Sequence, residues 1–185
     1  MLDEPDASGL IVMRDCGGTA LARRLADGVL AREPLVGLGL QLAAVLAEVH
    51  RRGVVHKDVN LENLVCGPDG GLFLVDFDLA TTFAEERPDF GHRHRIAGSV
   101  AYLAPEQTGR TSWPVDTRAD LYAVGATLYE MATGQPPFGR GDLAELVHAY
   151  LARVPASPDA VNPAVPVGLA QIIMRLLMKE RVRHP

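Results

Sequence analysis

The segment His56-Lys57-Asp58-Val59-Asn60-Leu61-Glu62-Asn63 places a carboxylate and an amide five residues apart in a polar loop. A second carboxylate follows in Asp76-Phe77-Asp78, beyond a run of turn-forming residues. Such groups can converge on one pocket. A carboxylate at Asp58 can take a proton from an attacking hydroxyl. Asn63 and Asp76 offer the hard oxygen donors that Mg²⁺ takes alongside substrate phosphates. Taken singly, each is equally readable as a polar turn residue between buried strands.

Positioning these groups requires elements on both sides. Leu10 to Met13 is a short apolar run and reads as a buried strand. The glycine-bearing connector Arg14-Asp15-Cys16-Gly17-Gly18 follows, and Thr19 is placed to cap a short helix through about Leu25. Leu35 to Arg52 reads as a mostly buried helix closed by Gly53. Beyond the polar loop, Leu64 to Cys66 and Leu72 to Val75 flank Gly67-Pro68-Asp69-Gly70-Gly71, which predicts a hairpin. Asp76 to about Pro114 reads as a long irregular stretch, of the kind that carries function or stays disordered. Helices are then predicted over Asp120 to Thr133, Gly141 to Val154 and Val167 to Met178, with a Pro-rich linker between the last two. The fold class is α+β, mainly α-helical, in one domain.

Bulk composition narrows the function classes. Of the 185 residues, 48% are hydrophobic and 22% charged, which is ordinary for a globular domain with a real core. A formal net charge of -5 gives no basic field to gather a phosphate backbone, so nucleic acid is not an expected partner. The two cysteines, Cys16 and Cys66, lie far apart, which argues against a zinc site or disulfide framework and fits a reducing cytoplasm. The acidic start lacks the marks of a signal peptide. Leu35 to Val49, the most apolar stretch, is interrupted by Gln41 and Glu48 and is too short for membrane insertion. Thr81, Thr82, His92 and His94 read as plain loop or solvated residues, and Cys66 as a small buried hydrophobe.

The order HxDxxxxN at His56 to Asn63, Asp76-Phe77, Ala104-Pro105-Glu106 and Asp120 near a helix start resembles the protein kinase family over essentially the whole chain. The resemblance implies the roles of that family's phosphoryl-transfer scheme. Asp58 would be the catalytic base, and Asn63 and Asp76 would hold Mg²⁺. Asn60 and Ser99 would steady the γ-phosphate and the substrate. Met13, Arg14 and Cys16 of a hinge, with Val65 of the first hairpin strand, would line the ATP site. Glu106 would pair with Arg183 or, alternatively, Arg181. Asp120 would accept backbone N–H groups of the catalytic loop. Gly98 to Tyr102 matches the loop that receives the residue beyond the phosphoacceptor, and a hydroxyl at Ser99 suits serine/threonine specificity. The strings HKDVN, APEQTGR and DLYAVGATLYEMATGQPPF are similar to the kinase module of bacterial multidomain sensor proteins, in which further signalling domains follow.

The pattern departs from the family at several positions. Asn60 stands where a lysine is usual, removing a positive charge from near the γ-phosphate. Asp78 replaces the glycine after Asp-Phe, and Lys57 replaces the usual arginine, so it can act only as a point charge. Residues 9–18 correspond to the last strand of the N-terminal lobe and the hinge, residues 19–185 to the C-terminal lobe, and 76–106 to the activation segment. Upstream of Leu10 there is no Gly-rich phosphate loop and no lysine. The expectation is an ATP- and Mg²⁺-dependent serine/threonine protein kinase, cytoplasmic, whose N-lobe is missing and whose isolated chain turns over negligibly. The rival is a pseudokinase or docking module. A small-molecule phosphotransferase of the aminoglycoside type shares the HxDxxxxN loop but normally lacks the Ala-Pro-Glu element.

Overall fold

The computed structural model describes residues 15–25, 30–83, 99–111 and 113–179. The expected strand at Leu10 to Met13, hinge residues Met13 and Arg14, His92, His94, Gly98, Arg181 and Arg183 lie outside the described residues.

The chain enters through β1 (Thr19–Ala20) and the single-turn helix α1 (Leu21–Arg24). Thr19 is therefore in a strand and caps no helix, contrary to the sequence expectation. Its backbone pairs antiparallel with β3 (Leu64–Cys66), Thr19 opposite Cys66 and Ala20 opposite Val65. β3 in turn pairs with β4 (Leu72–Leu74) to form the expected hairpin. Gly70 turns it with a left-handed backbone at φ 82°, which costs glycine nothing. A second two-stranded sheet joins β2 (Val54–Val55) to β5 (Thr81–Thr82), so Thr81 and Thr82 sit in a strand.

The helices form the bulk of the domain. α2 (Arg32–Arg51) begins three residues before the expected 35–52 helix and ends one residue short of it; its buried stripe of Leu35, Leu42 and Leu46 follows helical spacing. α3 (Thr117–Thr133) starts ahead of the expected Asp120 because Asp116 caps it, accepting the Arg118 N–H at 2.9 Å. Apart from Leu121, α3 is buried from Ala119 to Ala132, making it the central post. α4 (Leu143–Ala152) and α6 (Val167–Leu176) match their predicted segments within two residues, and the Pro-rich linker holds a further turn, α5 (Pro158–Val161). The stretch read as irregular contains two 3₁₀ turns, Val100–Tyr102 and Pro105–Thr108, besides β5. Among the described residues no helix is long and apolar enough to cross a membrane.

The contact between α3 and α6 depends on Gly125. A Cβ added there would stand 2.8 Å from Leu176 Cβ and 3.2 Å from Leu177 Cγ. Overpacking typically costs about 1–3 kcal/mol, and alanine regains about 1 kcal/mol of helix propensity. Gly125→Ala should therefore lower stability by about 1 kcal/mol in urea denaturation. An equally stable or stabilised variant would show that α6 shifts freely on α3.

Candidate active site

The polar loop leaves β2 and is held from below by Asp120. This carboxylate is fully buried yet has three partners. Its Oδ2 accepts from His56 N–H at 2.9 Å and from His50 Nε2 at 2.8 Å, and its Oδ1 accepts from Lys57 N–H at 2.7 Å. Lys57 needs that support, because its φ of 70° is a left-handed conformation that side chains disfavour. The expectation that Asp120 accepts the loop's N–H groups matches this geometry. His50 was missed. The only sequence signal was an ionisable residue in the last turn of an otherwise apolar helix.

His56 is buried and its ring is oriented from three sides. Nε2 meets the Val75 carbonyl at 3.1 Å, Nδ1 accepts the Asp58 N–H at 3.3 Å, and the ring stacks edge-on with Phe77 at 4.6 Å. A carbonyl only accepts and an amide only donates, so the ring is the neutral Nε2–H tautomer. Burial pushes its pKa below the usual histidine value, which favours the same neutral form.

Asp58, Asn60, Asn63 and Ser99 come together in one hydrogen-bonded group. Asp58 Oδ1 accepts the Ser99 N–H at 2.8 Å, and Oδ2 accepts Asn63 Nδ2 at 3.0 Å. Asn63 Nδ2 also reaches the Asp58 carbonyl at 2.9 Å, which turns the amide oxygen to the opposite side. Asn60 is only 1% exposed, and its amide uses all four of its hydrogen-bonding positions internally. Nδ2 donates to the Asp58 carbonyl and to Ser99 Oγ, both at 3.0 Å. Oδ1 accepts from Glu62 N–H at 2.8 Å and Asn63 N–H at 3.1 Å.

Asp76 is brought beside this group by the hairpin. The Val75 N–H donates to the Asn63 carbonyl at 2.9 Å, so β4 delivers the next residue next to the loop. Asp76 is exposed and left-handed at φ 64°. Asp78 donates its N–H to Asp76 Oδ1 at 3.4 Å. Among the described residues Lys57 and Asp76 are the two non-glycine residues at positive φ, so Asp78 occupies a conformation that requires no glycine. Oxygen donors at Asn63 and Asp76 are the right chemistry for Mg²⁺.

In the β1–β3–β4 sheet, β3 alternation buries Leu64 and Cys66 and turns half-buried Val65 to the opposite face, where its cross-strand partner Phe73 is 42% exposed. The connector lies against this strand: a Cβ on Gly18 would stand 2.6 Å from Val65 Cγ1. Half-buried Cys16 belongs to that connector.

The loop at Ser99 is pinned to the helices by two tyrosines that sequence reasoning did not single out. The Tyr102 hydroxyl donates to Glu130 on α3, which Arg140 also grips at 2.8 Å. The Tyr150 hydroxyl of α4 donates to the Val100 carbonyl. Burial raises the Tyr102 pKa, and raises that of Tyr150 to about 12, so both remain donors at neutral pH. Glu106 is buried, and the arginines expected to pair with it lie outside the described residues.

Comparison with known proteins agrees with this arrangement. Residues 3–180 match the protein kinase domain. The chain is 36% identical over 180 residues to the serine/threonine-protein kinase PkaA of Streptomyces coelicolor, covering 95% of this chain and 32% of that protein. It is 32% identical over 177 residues to the serine/threonine-protein kinase PknE of Mycobacterium tuberculosis (95% and 30%), and 29% identical over 171 residues to a probable serine/threonine-protein kinase of Clostridium acetobutylicum (92% and 25%). The chain thus spans between a quarter and a third of the length of these curated relatives. By the match of residues 3–180, nearly its whole length, the chain belongs to the protein kinase domain family.

Proposed function

We propose that this chain carries the catalytic loop, metal ligands and substrate loop of a bacterial serine/threonine protein kinase, acting on a serine or threonine hydroxyl of a protein substrate. The observation that carries the reading is the posture of Asp58. Its two oxygens are held by the Ser99 N–H and the Asn63 amide, and each keeps a lone pair free to accept the substrate hydroxyl proton. Asn63 Oδ1 and the Asp76 carboxylate would hold Mg²⁺, which supplies charge neutralisation for the phosphates of ATP when bound. Ser99 Oγ accepts from Asn60 and retains its own proton for the substrate or phosphate. Asn60 therefore contributes through Ser99 and the loop. Without a lysine at this position, charge stabilisation at the γ-phosphate has to come from the metal or from a cation elsewhere.

Val65, Cys16, Met13 and Arg14 belong to the adenine side in this reading. Turnover by these 185 residues alone is expected to be negligible, since they hold no counterpart of the family's Gly-rich loop or strand lysine. The sequence resemblance to bacterial sensor proteins supports a reading in which this domain works within a larger cytoplasmic signalling protein with further domains.

A thermal-shift titration of the full-length protein with Mg-ATP tests the reading. Ligand at 100 times its Kd stabilises by about 2.7 kcal/mol, a shift of several degrees. Asp76→Ala should abolish the Mg²⁺-dependent part. No shift at saturating Mg-ATP favours the docking module, a reading motivated by Asn60 and Asp78.

A further inference from the structure

The peptide that aims Asp58 is gripped at both ends by side chains, one from two residues away and one from a distant part of the chain. It consists of the Lys57 carbonyl and the Asp58 N–H, and its plane sets the direction in which the Asp58 side chain leaves the backbone. The preceding N–H of Lys57 goes to Asp120 Oδ1 at 2.7 Å, and the Asp58 N–H goes to His56 Nδ1 at 3.3 Å. The Lys57 carbonyl accepts from Gln107 Nε2 at 2.8 Å, across 50 residues of sequence. The same amide's Oε1 accepts the Ala104 N–H at 3.0 Å.

Gln107 thus ties the turn Pro105–Thr108 to the one peptide whose orientation is strained by the left-handed Lys57. The turn itself is firmly seated. Ala104, Pro105, Glu106 and Thr108 are buried, and Thr108 Oγ1 donates to the Pro105 carbonyl at 2.6 Å. The bridge requires an acceptor and a donor on one side chain of this length. Glutamate lacks the donor, lysine and arginine lack the acceptor, and asparagine is a methylene shorter.

We propose that Gln107 is a positioning residue for phosphoryl transfer, holding the Lys57–Asp58 peptide so that the Asp58 carboxylate faces the substrate hydroxyl. Through it, the aim of the base depends on the docking of the Ala104–Thr108 turn. The inference rests on the reading of Asp58 as the base.

The test compares Gln107→Glu and Gln107→Met with wild type in the full-length protein. Gln107→Glu keeps the acceptor for the Ala104 N–H but puts a repelling oxygen where the donor met the Lys57 carbonyl, whereas Gln107→Met loses both groups without adding repulsion. Steady-state kinetics should show kcat down about tenfold in each variant, the equivalent of one lost hydrogen bond, with KM for ATP within about twofold. Hydrogen exchange of the peptide spanning residues 54–61 should quicken about tenfold in both, with the β3–β4 hairpin unchanged. Unchanged kcat in Gln107→Glu, with wild type active, overturns the positioning role. So does a kcat loss that merely tracks the fraction of unfolded protein in the same exchange experiment. A wild-type protein with no Asp58-dependent transfer overturns the kinase reading and this inference together, which separates that failure from the first.

Discussion

Asp120→Ala is expected to lower the unfolding free energy by about 3–5 kcal/mol, measured by urea denaturation, with the catalytic loop exchanging amide hydrogens freely. The carboxylate is fully buried and accepts from two backbone N–H groups and from His50. Removing it leaves those donors without partners, and each buried unsatisfied group costs about 1–3 kcal/mol. It also leaves Lys57 left-handed with nothing to hold its N–H. Asp120→Asn should recover part of the loss, since one oxygen still accepts while the new N–H₂ faces donors. A loss below about 1 kcal/mol in the alanine variant would mean that the loop is held by its own packing.

The largest kinetic effect is expected at Asp58. Asp58→Asn should lower the phosphoryl-transfer rate of the full-length protein by about 10²–10⁴-fold in single-turnover experiments, the usual worth of a positioned general base. The amide oxygen can still accept the Ser99 N–H, and Asn63 Nδ2 keeps the Asp58 carbonyl while losing the side-chain acceptor, so the fold should lose only about 1 kcal/mol. That separation of rate from stability distinguishes Asp58 from Asp120. Retention of more than about a tenth of the rate would show that Asp58 takes no essential proton.

Much of the architecture was legible in the residues. The helical stripes of α2 and α6 and the turn formers between β3 and β4 carry their conformational information within a dozen neighbouring positions. Errors arose where local cues competed with partners far away. Thr19 is a plausible helix cap by itself, but the free edge of β3 recruits it into a strand. The stretch after Asp76 has little periodicity, yet Val54 and Val55 pair with Thr82 and Thr81. The two 3₁₀ turns are anchored by Tyr150, Glu130 and Lys57 from other elements.

The sequence by itself determined the ordered set Asp58, Asn63, Asp76, Glu106 and Asp120, and with it the family, because those residue types at those intervals are read without knowing where any atom lies. Tertiary structure alone decided how the set is held. Asn60, expected near the γ-phosphate, has its amide consumed by four internal bonds. His50 reaches Asp120 across 70 residues of chain, and Gln107 grips the loop across 50. Such pairings leave no trace in local pattern, since a side chain's partner is set by which helices pack together and its capacity by how many bonds that packing has already filled.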